Sequence, residues 1–115
     1  MSADCLFCRI AAGEIPAKLV REDENVVAFR DIDPKAPTHV VVIPRRHIAS
    51  VNDLEPGDAA LLGEIFLAAK EIAREEGIAA SGYRLVVNTG RDGGQSVDHI
   101  HLHLLGGRRH SWPPG

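Results

Sequence analysis

The chain has 115 residues and a mass of 12.4 kDa, with 44% hydrophobic and 25% charged residues. That is one domain by length, and an ordinary globular composition excludes a disordered or low-complexity chain. A formal charge of −3 gives no long-range pull toward nucleic acid or an anionic membrane.

Met1-Ser2-Ala3-Asp4 carries no basic region and no apolar stretch follows it, so no secretory signal is expected. The longest apolar runs, such as Val40-Val41-Val42-Ile43, are far too short to span a bilayer. The expected location is the cytoplasm. Asp4 is placed to N-cap a short helix over residues 5–12, with Gly13 as its left-handed stop. That helix holds the two cysteines of the chain, Cys5 and Cys8, at C-x-x-C spacing. In a reducing compartment this spacing suggests a metal half-site or a redox pair rather than a structural disulfide. A redox motif needs a strand in front of it, and only four residues precede Cys5.

Residues 18–21 and 25–30 flank Glu22-Asp23-Glu24 and read as a hairpin. Residues 31–37 form a turn-rich loop with two prolines. Residues 39–44 are β-branched and apolar, a strand buried on both faces. Leu61, Leu62, Ile65, Phe66, Ala69, Ile72 and Ala73 recur at three- and four-residue steps, which predicts one long helix over residues 58–76, ended by Gly77. Residues 84–89 form the next strand. The turn Gly90-Arg91-Asp92-Gly93-Gly94-Gln95-Ser96 leads to a last strand over residues 98–105. Short links between successive strands favour antiparallel pairing, hence α+β.

Histidine is the unusual count: six in 115 residues, three of them within five positions. His99-Ile100-His101-Leu102-His103-Leu104-Leu105 alternates strictly. With a period of two, the histidines share one face and Ile100, Leu102 and Leu104 the other. Adjacent imidazoles disfavour each other's protonation, so they are expected to be mostly neutral near pH 7. Neutral imidazole is both a nucleophile and a metal ligand. His99 and His103 lie ~13 Å apart along a flat strand at ~3.3 Å per residue, too far for one ion to take all three. The alternative is a catalytic row with His101 at its centre. Gly93-Gly94-Gln95-Ser96 favours that alternative, since a glycine turn can aim N–H groups, a hydroxyl and an amide at an anion beside the imidazoles.

On these residues the chain resembles the histidine-triad nucleotide-binding proteins, in the purine nucleoside phosphoramidase branch of the histidine-triad family. The resemblance runs through Glu14-Ile15-Pro16-Ala17-Lys18, Ala28-Phe29, Asp31-Ile32, Ala36-Pro37-Thr38-His39, Val42-Ile43-Pro44, His47-Ile48, Val86-Val87-Asn88, Asp92-Gly93-Gly94-Gln95-Ser96, the triad itself and the terminal Trp112-Pro113-Pro114-Gly115. It implies a single domain over residues 1–115 with a five-stranded antiparallel sheet, one long and one short helix, and a ten-stranded sheet across a homodimer. Residues 106–115 would be a tail reaching toward the partner subunit.

The implied activity is hydrolysis of purine nucleoside 5′-phosphoramidates to a nucleoside monophosphate and an amine. His101 would attack phosphorus and form a nucleotidyl-histidine. His39 would orient His101 together with a main-chain carbonyl of the last strand, His103 would hold a phosphate oxygen, and Ser96 and the Gln95–Ser96 backbone would contact the phosphate and leaving group. Asn88 would line the phosphate end and Asp31 would bind the ribose, although an Asx-type turn is an equal reading of Asp31. Leu6, Phe7, Ile10, Phe29 and Ile32 would form the base slot, and Trp112 would serve the other subunit. No cofactor is implied for catalysis. A structural zinc is implied on Cys5, Cys8, His47 and His99, a standard tetrahedral donor set. His110 has no assigned role. The rival functions are a nucleotide-binding regulatory or scaffold protein with incidental hydrolysis, and a dinucleoside polyphosphate hydrolase. Neither nucleic acid nor membrane is an expected partner.

Overall fold

The computed structural model describes residues 4–115; the reading of residues 1–3 as free of a leader lies outside them. The elements in chain order are α1 (Leu6–Ala11), β1 (Leu19–Glu22), β2 (Val26–Arg30), β3 (Thr38–Pro44), α2 (Ala59–Glu75), β4 (Tyr83–Val86) and β5 (Leu102–Gly106). Two short 3₁₀ turns, Val51–Asp53 and Pro56–Asp58, lead into α2. The strands form one sheet in the order β1-β2-β3-β5-β4, and every pairing is antiparallel. The α+β expectation holds.

β3 is the central strand and is buried at all seven positions. Its alternation splits the core in two. Val40 and Val42 join Leu102, Leu104 and the inner face of α2 (Ile65, Ala68, Ala69, Ile72, Ala73). Val41 and Ile43 join Cys5, Phe7 and Cys8 around α1, with Val27 and Phe29 from β2. The two faces therefore carry unlike cargo. One holds the long helix; the other holds both cysteines and, opposite Val41, His103.

Local chemistry explains most boundaries. Asp58 sits at the start of α2, where its carboxylate accepts the Glu55 N–H at 2.8 Å and pairs with Arg46. Gly77, at φ +76°, ends the helix in the left-handed region, as glycine allows. Phe66 belongs to the expected apolar stripe but is half-exposed, at the outer edge of α2. At α1 the cap is Cys5 rather than Asp4: the Cys5 Sγ accepts the Cys8 N–H at 3.3 Å.

The last strand is shorter than its sequence pattern. Residues 98–101 precede β5, and the pairing with β3 begins at Val42 opposite Leu102. Continuing that register would set Pro44 opposite Ile100, and proline has no N–H to give to a ladder. The Ile100 N–H instead goes to the Ile48 carbonyl at 2.7 Å, and the His99 N–H to the Val97 carbonyl at 2.9 Å. β4 likewise stops at Val86, so residues 87–89 run on unpaired. Gly106 still pairs in β5, so the tail starts one residue later than expected.

Candidate active site and metal centre

The row of histidines survives the loss of strand geometry. The His101 ring lies 4.9 Å from that of His103 and 5.1 Å from Phe7, while His99 lies 6.1 Å from Phe7. All three rings thus line the α1 side of the molecule, while Leu102 and Leu104 point into the α2 side. Each ring has a different job, which its hydrogen bonds reveal.

The His101 Nδ1–H donates to the His99 carbonyl at 2.8 Å. A carbonyl can only accept, so Nδ1 carries the proton and Nε2 keeps its lone pair. That Nε2 has no hydrogen-bond partner among the described residues, although His101 is buried. His39 is placed against His103, not against His101. The Lys35 N–H donates to the His39 Nδ1 at 3.0 Å, which leaves the proton of neutral His39 on Nε2. The His39 Nε2–H then donates to the His103 Nδ1 at 2.9 Å. His103 must in turn carry its proton on Nε2. One main-chain amide therefore sets two tautomers in series. The Asp31 carboxylate stands 3.4 Å from the His39 Nε2. Its other oxygen accepts the Asp33 N–H at 2.8 Å, which is the Asx turn that the sequence left open.

Three imidazoles are biased toward the neutral form, and mutual repulsion is not the first cause. Burial is the first cause of the lowered pKa of His39, His99 and His103; repulsion between neighbouring histidines adds to it at His99 and His103. His103 is pushed down to about 4, with the Asp31 charge opposing the shift.

A second cluster lies one residue away in the triad. The Cys5 and Cys8 Sγ atoms stand 3.3 and 3.4 Å from the His99 Nδ1, the His47 Nδ1 stands 3.3 Å from the Cys8 Sγ, and the two Nδ1 atoms are 3.2 Å apart. Metal–sulfur bonds of ~2.3 Å and metal–nitrogen bonds of ~2.05 Å give a tetrahedron with edges of roughly 3.6 Å (S···N) and 3.4 Å (N···N). The three S···N distances and the N···N distance come close to those edges, and all four atoms lie within 4.8 Å of one another. The His99 Nε2–H donates to the Pro44 carbonyl at 2.8 Å, which leaves Nδ1 as a bare lone pair facing the sulfurs. A ligating histidine anchored by its second nitrogen is the usual arrangement at a metal. The donor set fits zinc.

The turn before the triad is real but faces inward. A Cβ at Gly93 would lie 2.4 Å from the Thr89 carbonyl oxygen, and Gly94 has φ +77°, so both positions require glycine. The Gly94 and Gln95 N–H groups close the turn on the Arg91 and Gly90 carbonyls at 3.1 and 3.0 Å. The Gln95 side chain accepts the Gly90 N–H and donates to the Ala49 and Val97 carbonyls. Gln95 is therefore a brace, and its side chain and the Gly94 and Gln95 N–H groups are spent on main-chain partners. Ser96 is left exposed at its end, and Asn88 is half-buried nearby in sequence.

The remaining expected residues divide by exposure. Phe7 and Phe29 are buried with rings 5.4 Å apart, and Ile10 packs against their cluster. Leu6 is half-exposed and Ile32 fully so. Trp112 is exposed in the tail, which the Arg84 guanidinium pins by donating to the Ser111 carbonyl at 2.7 Å. His110 remains without a role; its Nε2 is enclosed and has no partner. Sequence reasoning missed the Lys35 amide and the Pro44 carbonyl, because main-chain groups leave no residue-type signature. Among the described residues no helix is long and apolar enough to cross a membrane.

A triad whose rings are sorted in this way, on a five-stranded sheet with one long helix, defines a class. The HIT-domain family model matches residues 12–110, and the chain belongs to that family. It is 50% identical over 108 residues to the purine nucleoside phosphoramidase of Escherichia coli strain K12, covering 94% of this chain and 91% of the relative. Among solved structures, a HIT family hydrolase from Legionella pneumophila Philadelphia 1 superposes with a TM-score of 0.96 at 58% identity, covering 97% of this chain and all of the other. A histidine triad nucleotide-binding protein from Candida albicans superposes with a TM-score of 0.81 at 31% identity, covering 96% and 83% of the two chains.

Proposed function

We propose that the chain is a hydrolase of purine nucleoside 5′-phosphoramidates that works through a nucleotidyl-His101 intermediate. The observation that carries this reading is the His101 ring, with Nδ1–H tied to the His99 carbonyl and Nε2 left without a hydrogen-bond partner among the described residues. A histidine held so is a ready nucleophile. Its Nε2 lone pair forms a bond to the α-phosphorus as the P–N bond breaks. The amine leaves with a proton taken from solvent at the exposed Ser96 end of the site. Water then cleaves the N–P bond, frees His101 and releases the nucleoside monophosphate.

His103 presents Nε2–H to a phosphate oxygen, because His39 and the Lys35 amide fix its proton there. A neutral donor of fixed direction stabilises charge developing on that oxygen. Asp31 takes the ribose hydroxyls with the oxygen nearer His39, and Phe7, Ile10, Phe29, Leu6 and Ile32 line the base slot. Asn88 and Ser96 complete the phosphate end. Cys5, Cys8, His47 and His99 hold one zinc ion, which supplies a cross-link between α1, the segment after β3 and the segment before β5. A homodimer covers one of the two sheet edges, since an open edge invites pairing, and it brings Trp112 to the partner's site.

The relatives support this reading through their names, and the E. coli protein names the substrate class. The test is turnover of adenosine 5′-monophosphoramidate by wild type and by His101→Asn. Wild type is expected to hydrolyse it, and the variant to lose at least ~10⁴-fold in rate, as nucleophile removal does in other covalent enzymes. Binding of AMP without turnover by wild type would instead favour a nucleotide-binding module.

A further inference from the structure

His99 belongs to two sites at once. Its ring nitrogen Nδ1 faces Cys5, Cys8 and His47, and its main-chain carbonyl holds the His101 Nδ1–H at 2.8 Å. The carbonyl sits in a bend outside β5, where no ladder bond fixes it. Its ring is anchored at the Pro44 carbonyl on one side and faces the cysteine cluster on the other, and the peptide that carries the carbonyl is held through the Ile100 N–H, which donates at 2.7 Å to the carbonyl of Ile48, the chain neighbour of His47.

The same cluster controls the other neighbour of His101. Cys5 caps α1 and Cys8 lies within it, and Phe7 stands between them. The Phe7 ring meets His101 edge-on at 5.1 Å and 88°. A helix of six residues has no stability of its own in water, so the position of Phe7 depends on what pins α1. Both the carbonyl behind His101 and the ring in front of it thus connect to that cluster, which acts on α1 alongside the Phe7–Phe29 contact and the Arg45 bond to the Ala11 carbonyl.

We propose that the Cys5–Cys8–His47–His99 cluster is the positioning device of His101, with the zinc-loaded state as the form in which the nucleophile is correctly set. His99 and Phe7 are the positioning residues that act between cluster and ring. The proposal rests on the reading of His101 as nucleophile, and its test separates the two. Catalysis is sensitive at this scale, since a misplacement of ~1 Å can cost ~10²-fold in rate.

The experiment compares zinc-loaded wild type, chelator-stripped wild type, stripped protein reloaded with zinc, and Cys8→Ser. The first readout is the imidazole N–H spectrum by ¹⁵N NMR, which needs no turnover. The His101 Nδ1–H is expected to be slowly exchanging in the loaded protein and to broaden or vanish on stripping, and to return on reloading. The second readout is the single-turnover rate of nucleotidylation against the affinity for AMP. Stripping is expected to slow the rate ~10- to 100-fold while AMP affinity changes by less than about threefold. A His101 N–H still protected, with the rate within twofold, overturns the proposal. So does collapse of the whole amide spectrum on stripping, because the cluster would then hold the fold and not His101. If loaded wild type shows no turnover, the functional reading fails, and the N–H spectrum still decides the positioning role.

Discussion

Two clusters of this molecule offer nearly the same chemistry to a metal and are suited to opposite ends. Cys5, Cys8, His47 and His99 bring their ligand atoms within 4.8 Å of one another, and so do Asp31, His39 and His103. Composition alone would make both metal sites. The difference lies in one main-chain group behind each. Behind His99 stands a carbonyl, which takes the Nε2 proton and bares Nδ1 toward the sulfurs. Behind His39 stands the Lys35 amide, which donates to Nδ1 and forces the proton onto Nε2, the atom that faces Asp31 and His103. A metal on His39 would need both ring nitrogens bare, hence an imidazolate. The first cluster presents bare donor atoms to one another, and the second holds and directs a proton.

The largest effect that could break this comparison is on metal content and stability. Protein purified without chelator should hold one zinc per chain, and Cys5→Ser with Cys8→Ser should hold none. Loss of a ligand that binds only the folded state should cost ~3 kcal/mol and lower Tm by roughly 10 °C. His39→Asn should keep its zinc, keep its Tm within a few degrees and lose ~10²-fold in phosphoramidate turnover, the scale of a lost proton-positioning group. Metal analysis, calorimetry and the hydrolysis assay read the three quantities. Zinc lost from His39→Asn, or retained by the cysteine variant, would place the metal in the other cluster.

Much of this division was legible in the sequence, and its limits are physical. The period of two put Leu102 and Leu104 on one side and the histidines on the other, and C-x-x-C marked the two thiols that meet His47 and His99. The helix from Ala59 to Glu75 followed from its apolar steps. The strand onset at Leu102 was not legible, because it depends on Pro44 of a different strand lying where a partner for Ile100 was needed. Nor was the role of Gln95, whose amide looks like an anion donor until three main-chain groups claim it. The tautomers that separate the clusters come from the Lys35 amide and the Pro44 and His99 carbonyls. Every residue has such groups, so residue type says nothing about them.

The next effect is smaller and concerns pH. His103 titrates near 4 in the folded chain against an ordinary 6.5. As pH falls, the unfolded chain takes up this proton first, so stability is fully present above ~6.5 and is lost as pH falls toward 4. His39 shifts in the same direction, chiefly through burial. The two together should weaken the fold by ~1–3 kcal/mol between pH 7 and pH 4.5. Urea unfolding at both values measures it. His103→Asn should remove most of the difference; an unchanged slope would mean that the relay cluster is not what titrates.

The smallest effect tests the comparison most directly, because it changes one hydrogen. Lys35→Pro deletes the N–H that donates to the His39 Nδ1 and leaves the histidines and Asp31 in place. Without that donor Nδ1 can carry the proton itself, and Nε2 becomes a lone pair facing Asp31 and His103. The cluster then shares one condition with the cysteine cluster, a bare ring nitrogen facing the other donors, although without the anchor that Pro44 gives His99. Zinc titration of protein already saturated at the cysteine site should therefore reveal a second, weaker event in Lys35→Pro, about tenfold tighter than any second event in wild type, or ~1.4 kcal/mol. The exposed Lys35–Asp33 ion pair is lost in the same variant, but at 64% and 81% side-chain exposure it contributes little; Lys35→Ala removes that pair and keeps the amide, so it should behave as wild type. Equal second-site affinity in all three proteins would show that the amide does not separate the clusters, and that burial of the thiols at Cys5 and Cys8 does.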